Sequence, residues 1–413
     1  MPAEKPTLNT SDPNIILASW RGVAAILIFT IHYRLQKYNL PSALGYTGTH
    51  SFFLLSAYFV SLGLFKKFEN KDINAWKTFK DFIIKRILKI MPVYFLYIFL
   101  MLLVGIIAVY VFNADSEKIG VIEEFKRFGI GLFTYTYNFR EVYNVFVLHK
   151  YLPETPMTYP HLWYVSFDLQ LCIMIFFFIA FIRNRDTLLK FSVVMVIVTI
   201  ALRFIAWNYL ETIPSDTISR IYILEKLPFF QMDTIFYGFI LCLYDFKKSK
   251  KLFVILIVAF IVGYGYAFLR AYILSNELDL PLRVTLREDI HIAPMQGMAS
   301  LDSSIAFFIF ILFACIINFP EKFKFITNPL MMNIGGLSLT MYIFQFLFII
   351  IGMFVSSAIF RRFLPGVIAD TLGLILFIAL DYWCAGFIYK IFEKPIHKKI
   401  DEKLSVKKDK TSA

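Results

Sequence analysis

Arg21 and His32 lie eleven positions apart in one apolar stretch, residues 15–33. An α-helix advances roughly 100° per residue, so eleven steps return a side chain to nearly the same face, about 16 Å along the axis. Charged or titratable side chains inside an apolar helix are costly, and they mark aqueous paths or sites. Arginine presents fixed, permanently charged donors suited to a phosphate or a polarised carbonyl. Histidine takes up a proton near neutral pH, which makes it a natural general base toward a hydroxyl. The bland alternative for His32, at the outer end of the stretch, is a polar interfacial residue. Arg21 lies deeper, where that alternative has less force.

Other ionisable residues fall inside apolar segments: Asp168, Arg203, Asp233, Asp302 and Asp381. Taken singly, each is as compatible with a structural salt bridge as with a site. Spread over several helices, they point to a shared polar cavity. Asp168 is expected to pair with His32, fixing its tautomer, or with Arg21. Lys85, Arg86 and Lys89 are spaced to share a helical face. They serve either as inner-face anchors or as a cradle for a cytosolic polyanion such as a nucleotide phosphate. Trp163 and Tyr164 fit an interfacial aromatic belt. No phosphate-binding glycine loop, zinc-protease helix, nucleophile elbow or paired-cysteine metal site occurs, so no metal or bound cofactor is expected.

The elements that position these residues must be membrane helices. Of 413 residues 58% are hydrophobic and only 17% charged, with 47 phenylalanines, a composition that suits lipid and not a soluble core. Ten segments are long and apolar enough to span: 15–33, 47–65, 87–112, 160–182, 191–209, 226–244, 252–272, 302–319, 333–355 and 366–392. The expected fold is all-α, a polytopic helical bundle. With the N-terminus inside, the inner segments carry more Lys and Arg than the outer loops, which places both termini in the cytoplasm. Read this way, the net charge of +12 reflects orientation, not nucleic-acid binding. Residues 1–14 form an N-terminal tail, 15–396 one membrane domain and 397–413 a basic tail. The first helix reads as a retained signal anchor. Residues 129–137 are too short to span and suit a re-entrant or interfacial position, and the outer loop 273–301 is polar. The four cysteines read as core thiols.

Several ordered segments resemble the acyltransferase-3 family of integral membrane acyltransferases, which includes O-antigen and exopolysaccharide O-acetyltransferases. Arg21 through His32 resembles the family's opening arginine–histidine motif. Gly48 through Tyr58, with Phe52, Phe53 and Ser56, is similar to its "G-V-D-x-F-F-x-x-S-G-F" stretch. Lys85 and Arg86 through Pro92 and Tyr94 resemble its basic motif. Trp163, Asp168 and Gln170 are similar to "W-S-L-x-x-E-x-Q", and Asp233 to Gly238 to "R-x-D-x-x-x-x-G". Gly335, Ser338 and Tyr342 resemble "G-x-x-S-Y-x-x-Y-x-x-H", and Glu393 with Pro395 the closing "E-x-P". The chain departs at Ala18 and Ser19, where an acidic residue is common, and at His50, Ala57, Asp168, Gln231 and Gln345, the last standing for a histidine.

The resemblance implies an acyltransferase that moves an acyl group, most often acetyl, from cytosolic acyl-CoA as cosubstrate to a hydroxyl of a cell-surface or lipid-linked glycan. It implies a multi-pass protein of the cytoplasmic membrane. In the simplest mechanism His32 is the base, and Arg21 orients the donor or stabilises the oxyanion. A covalent relay is the other possibility. Ser56 and Ser338 match family positions without an assigned base. Arg203, Trp163, Gln170, Asp233, Tyr342 and Glu393 complete the secondary candidates. From a different class, a transporter or flippase for a glycolipid or polysaccharide precursor also fits ten helices with buried charges. The absence of internal repeats counts against it.

Overall fold

The computed structural model of the chain describes residues 11–33, 43–69, 72–111, 120–143, 161–212, 223–244, 253–262 and 296–409, with isolated positions at 146, 159, 251 and 265. Among them there is no strand. The principal helices are α1 (Pro13–His32), α2 (Ala43–Phe68), α3 (Ala75–Tyr110), α4 (Gly120–Phe133), α5 (Trp163–Phe181), α6 (Arg185–Glu211), α7 (Met232–Leu243), α8 (Gln296–Asn318), α9 (Pro329–Ala358), α10 (Gly366–Ile388) and α11 (Lys394–Asp409).

Among the described residues seven helices are long and apolar enough to cross a bilayer, and α8 makes an eighth if it is joined to Pro320–Ile326 across a 109° bend. The expected span at 226–244 is represented by a shorter apolar helix, Pro228–Leu243, and the described part of 252–272 includes the apolar helix Phe253–Val262. Protein surrounds the helix Pro228–Leu243. Ile235, Phe236 and Phe239 are buried, and the helix packs against α2 and α6. The polarity is that of a bilayer protein. Arg203 is among the largest fully buried side chains, whereas Leu103, Ile197, Ile205, Phe354 and Ile375 are exposed.

Asparagine caps start three helices. Asn74 accepts from the Lys77 N–H at 2.9 Å, Asn184 from Thr187 at 2.9 Å, and Asn328 from Leu330 at 2.8 Å. The first of these moves a boundary. Capped at Asn74, α3 begins twelve residues before the expected 87, so Lys85, Arg86 and Lys89 lie well inside the helix and not at its start. Its 36 residues span about 54 Å, more than the hydrocarbon thickness of about 30 Å. At the other end, α10 passes through a π-helical turn, Tyr389–Glu393, into α11, so the expected boundary after residue 396 falls within a helix.

Two crossings place α1. Gly22 and Gly335 let α1 and α9 touch backbone to backbone: a Cβ at Gly335 would lie 2.6 Å from the Ala18 carbonyl oxygen. Small residues permit such approach in membrane helices. Arg21 and Ser338 thereby come to one cavity. On the α2 side, a Cβ at Gly48 would lie 2.6 Å from the Ala24 carbonyl oxygen.

Residues 129–137 continue α4 into a turn that packs on α3, with Phe133 5.4 Å from Phe95. Tyr135 takes a left-handed φ of 55°, and its carbonyl accepts from Gln170 at 2.9 Å. Buried Glu124 accepts from Arg140 at 2.5 Å and from the Tyr137 hydroxyl. The polar loop 273–295 and residues 1–10 lie outside the described residues. Cys172 and Cys315 are buried, and all four cysteines are free thiols.

Candidate functional site

Five helices enclose a cavity of about 190 Å³. Helix α1 supplies Arg21, Ala25, Ile28 and Phe29; α2 supplies Phe52 and Ser56; α3 supplies Arg86, Lys89 and Ile90. Tyr164 and Asp168 come from α5, and Ser338, Leu339 and Tyr342 from α9. By surface area the wall is mostly apolar, and Arg21, Arg86 and Lys89 add cationic groups to it. Such a site grips a charged head and accepts an apolar arm.

The two arginines differ. Arg86 donates to Asp168 at 2.6 Å, with the pair 28% and 11% exposed. Arg21 makes no hydrogen bond or ion pair with a described residue. Its buried Nε is unpartnered, and its guanidinium sits over the Phe52 ring at 5.6 Å. A guanidinium that lines a membrane cavity without an ion-pair partner among the described residues is able to receive an anionic or strongly polar ligand. Exposed Lys89 lines the same cavity.

Asp168 was expected to meet His32 or Arg21, and it meets neither by hydrogen bond. It lies on the face of α5 turned to α3, one to two turns into the helix, where Arg86 is opposite. Its Oδ1 remains without a partner. His32 finds a different neighbour on α9: its Nδ1 is 2.7 Å from Gln345 Oε1, and its ring lies 6.5 Å from Tyr342 and 5.5 Å from Phe346. Tyr342 connects the two places, since it lines the cavity and also packs on His32. Its hydroxyl donates to the His161 carbonyl at 2.8 Å.

Breaking the Arg86–Asp168 pair tests its structural weight. Removing one partner of a buried ion pair costs about 3 kcal/mol or more. Arg86→Met and Asp168→Asn should therefore each lower the melting temperature in detergent clearly. The double variant Arg86→Met/Asp168→Leu should recover much of that loss, because no lone charge remains. Two additive losses in the double-mutant cycle would show that the pair is not coupled.

The acyltransferase-3 family model, described as an acyltransferase domain, matches residues 15–386. The chain belongs to the acyltransferase-3 family. No curated protein and no solved structure matches it. The match runs from the start of α1 to near the end of α10, so it includes every helix that lines the cavity. The chain is therefore a multi-pass membrane acyltransferase.

Not all residues that the family pattern singled out reach the cavity. Ser56, Ser338 and Tyr342 line it, and Ser338 donates to the Gly335 carbonyl at 2.8 Å. Lys85 is not among the lining residues, although it stands one turn before Lys89 on the same side of α3. Trp163 packs on Phe53 and Phe167, at 6.3 and 5.8 Å. Gln170 bonds Asn138, and Glu393 accepts from Thr340 at 2.6 Å. Arg203 and Asp233, both fully buried, form an ion pair at 2.6 Å in a second cluster. There Arg203 also reaches Ser303 and Asp302, and His50 lies 2.5 Å from Asp302. This cluster ties α2, α6, α7 and α8 together at one level.

Two polar residues of the site escaped the sequence reading. Tyr164 was assigned to an aromatic belt, yet it is buried, stacks on Phe53 at 5.5 Å and lines the cavity. A signal existed, since Tyr164 stands four residues before Asp168 and so shares its helical face. Gln345 stood out only as a departure from a family histidine, and its bond to His32 spans 313 residues.

Proposed function

We propose that this acyltransferase is an O-acyltransferase, in the simplest case an O-acetyltransferase, that takes its acyl group from acyl-CoA. The acceptor is a hydroxyl of a cell-surface or lipid-linked glycan, and the protein works in the cytoplasmic membrane. The observation that carries this reading is the polarity of α1. An arginine with no ion-pair partner among the described residues lines the cavity midway along the helix, and a histidine with a defined hydrogen-bond partner stands at its C-terminal end.

The donor's phosphates meet Arg21 and Lys89, and its thioester arm follows the apolar wall toward Tyr342. Arg21 and His32 are separated by about 16 Å of unbroken helix. That separation favours a donor-orienting role for Arg21 over contact with the oxyanion at the reacting carbon. His32 removes the hydroxyl proton as the acceptor oxygen attacks the thioester carbonyl. The new C–O bond forms, the C–S bond breaks, and the proton passes from His32 to the departing thiolate. Acyl-CoA is a cosubstrate in this scheme, and no metal or resident cofactor takes part.

Mass spectrometry of surface glycans tests the acceptor class. A strain lacking this protein should lose an ester-borne acyl mass, which wild-type protein restores and His32→Ala does not. Identical glycan ester patterns in all strains would contradict the glycan assignment.

A further inference from the structure

Gln345 is fully buried on α9, one turn beyond Tyr342. Its amide makes two contacts of opposite sense. Nε2 donates to the Tyr342 carbonyl oxygen at 2.9 Å, and Oε1 lies 2.7 Å from His32 Nδ1. A backbone carbonyl can only accept, so the amide NH₂ must lie on that side and Oε1 must face the imidazole. Oε1 also can only accept, so Nδ1 must carry the proton. A neutral imidazole protonated at Nδ1 has its lone pair on Nε2.

We propose that Gln345 is a positioning residue that fixes His32 in the Nδ1–H tautomer and so presents Nε2 as the base to the acceptor hydroxyl. The inference rests on reading His32 as the base, and it assigns that role to one nitrogen. Phe346 and Tyr342 limit the ring's rotation from the same helix. The titratable groups facing His32 are Tyr342 and His161, both of which already have partners. Tyr342 donates to the His161 carbonyl, and His161 Nε2 lies 2.8 Å from the Ile343 carbonyl, to which it donates. Neither therefore competes for Nδ1. A neutral amide sets the tautomer without supplying a charge, unlike the carboxylate of a triad. The imidazolium formed by deprotonating the hydroxyl then has no fixed anion beside Nδ1. The proton taken up at Nε2 is released to the thiolate when the C–S bond breaks, and atoms and charge balance.

The tautomer arm of the test needs no acceptor. Protein carrying ¹⁵N-labelled histidine is purified in detergent, and the His32 ring resonances are identified by their loss in His32→Gln. The wild type should show the Nδ1–H pattern for neutral His32. Gln345→Glu, which keeps an acceptor oxygen, should retain it. Gln345→Met, close in length but without the acceptor, should lose it in favour of Nε2–H. Melting curves for both variants separate this change from unfolding. CoA release from acetyl-CoA, assayed with the native glycan fraction, should fall about 10²-fold in kcat for Gln345→Met, the low end of what a general base contributes. KM for acetyl-CoA should not change. Gln345→Glu should keep activity, with the acid limb of its pH–rate profile displaced to higher pH by the added carboxylate. Wild-type His32 in the Nε2–H form, or Gln345→Met with unchanged tautomer and kcat, would overturn the proposal. Full activity in His32→Gln beside an intact Nδ1–H signal in the wild type would instead sink only the base assignment.

Discussion

His32→Ala should lower acyl transfer about 10²- to 10⁴-fold, the range that a positioned general base contributes. A loss of that size follows because, among the described residues, no other titratable group stands ready at the end of α1. His161 is committed to the Ile343 carbonyl, and Tyr342 to the His161 carbonyl. Asp168 is turned to Arg86. The substitution also strips Gln345 Oε1 of its partner, which costs about 1–3 kcal/mol in a buried setting. His32→Asn, which can still donate toward Oε1, is the better probe of chemistry apart from stability. Both variants should bind acyl-CoA with near-normal affinity, because the cationic groups of the cavity are untouched. Thiol release from acetyl-CoA, followed beside a melting curve, checks both points. Activity within a few-fold of wild type in both variants would remove His32 from the chemistry.

Arg21→Met should weaken donor use without weakening the fold, the reverse of what Arg86→Met does. Arg21 has no ion-pair or hydrogen-bond partner among the described residues, so its removal leaves no orphaned carboxylate. Removing an unpaired cation from an apolar setting should leave the melting temperature unchanged or raise it. Hydrogen bonds to charged groups are worth about 1.5–3 kcal/mol, so KM for acyl-CoA should rise about 10- to 100-fold. Arg21→Lys should fall between, because it keeps the charge and loses the planar fork. Titration of acetyl-CoA in steady-state assays, with melting curves for Arg21→Met and Arg86→Met side by side, separates the two arginines. A destabilised Arg21→Met with unchanged KM would make Arg21 structural.

Local pattern revealed the parts of this molecule that local physics determines. Apolar runs located the helices, and the eleven-residue interval put Arg21 and His32 on one face of α1. The same logic found the face of α3 that carries Arg86 and Lys89. What stayed hidden depends on which helix lies opposite. Asp168 was expected to meet His32 or Arg21, and only the packing of α5 against α3 pairs it with Arg86. Gln345 reaches His32 because Gly22 and Gly335 allow α1 and α9 to close backbone to backbone. Tyr164 resembles a belt residue in sequence, since an aromatic near a helix end has the same composition whether it faces lipid or protein. The start of α3 was placed late because its first turns are polar enough to look like a loop, until Asn74 is recognised as a cap.

The most direct measurement uses the purified chain in lipid nanodiscs, isotope-labelled acetyl-CoA and the host's lipid-linked glycan. Each labelled ester formed on the glycan should be matched by one free CoA thiol, and His32→Ala should abolish both signals together. Absence of thiol release and of label on the glycan from a folded wild-type protein, with glycolipid translocation intact in sealed vesicles, would contradict acyl transfer through this site.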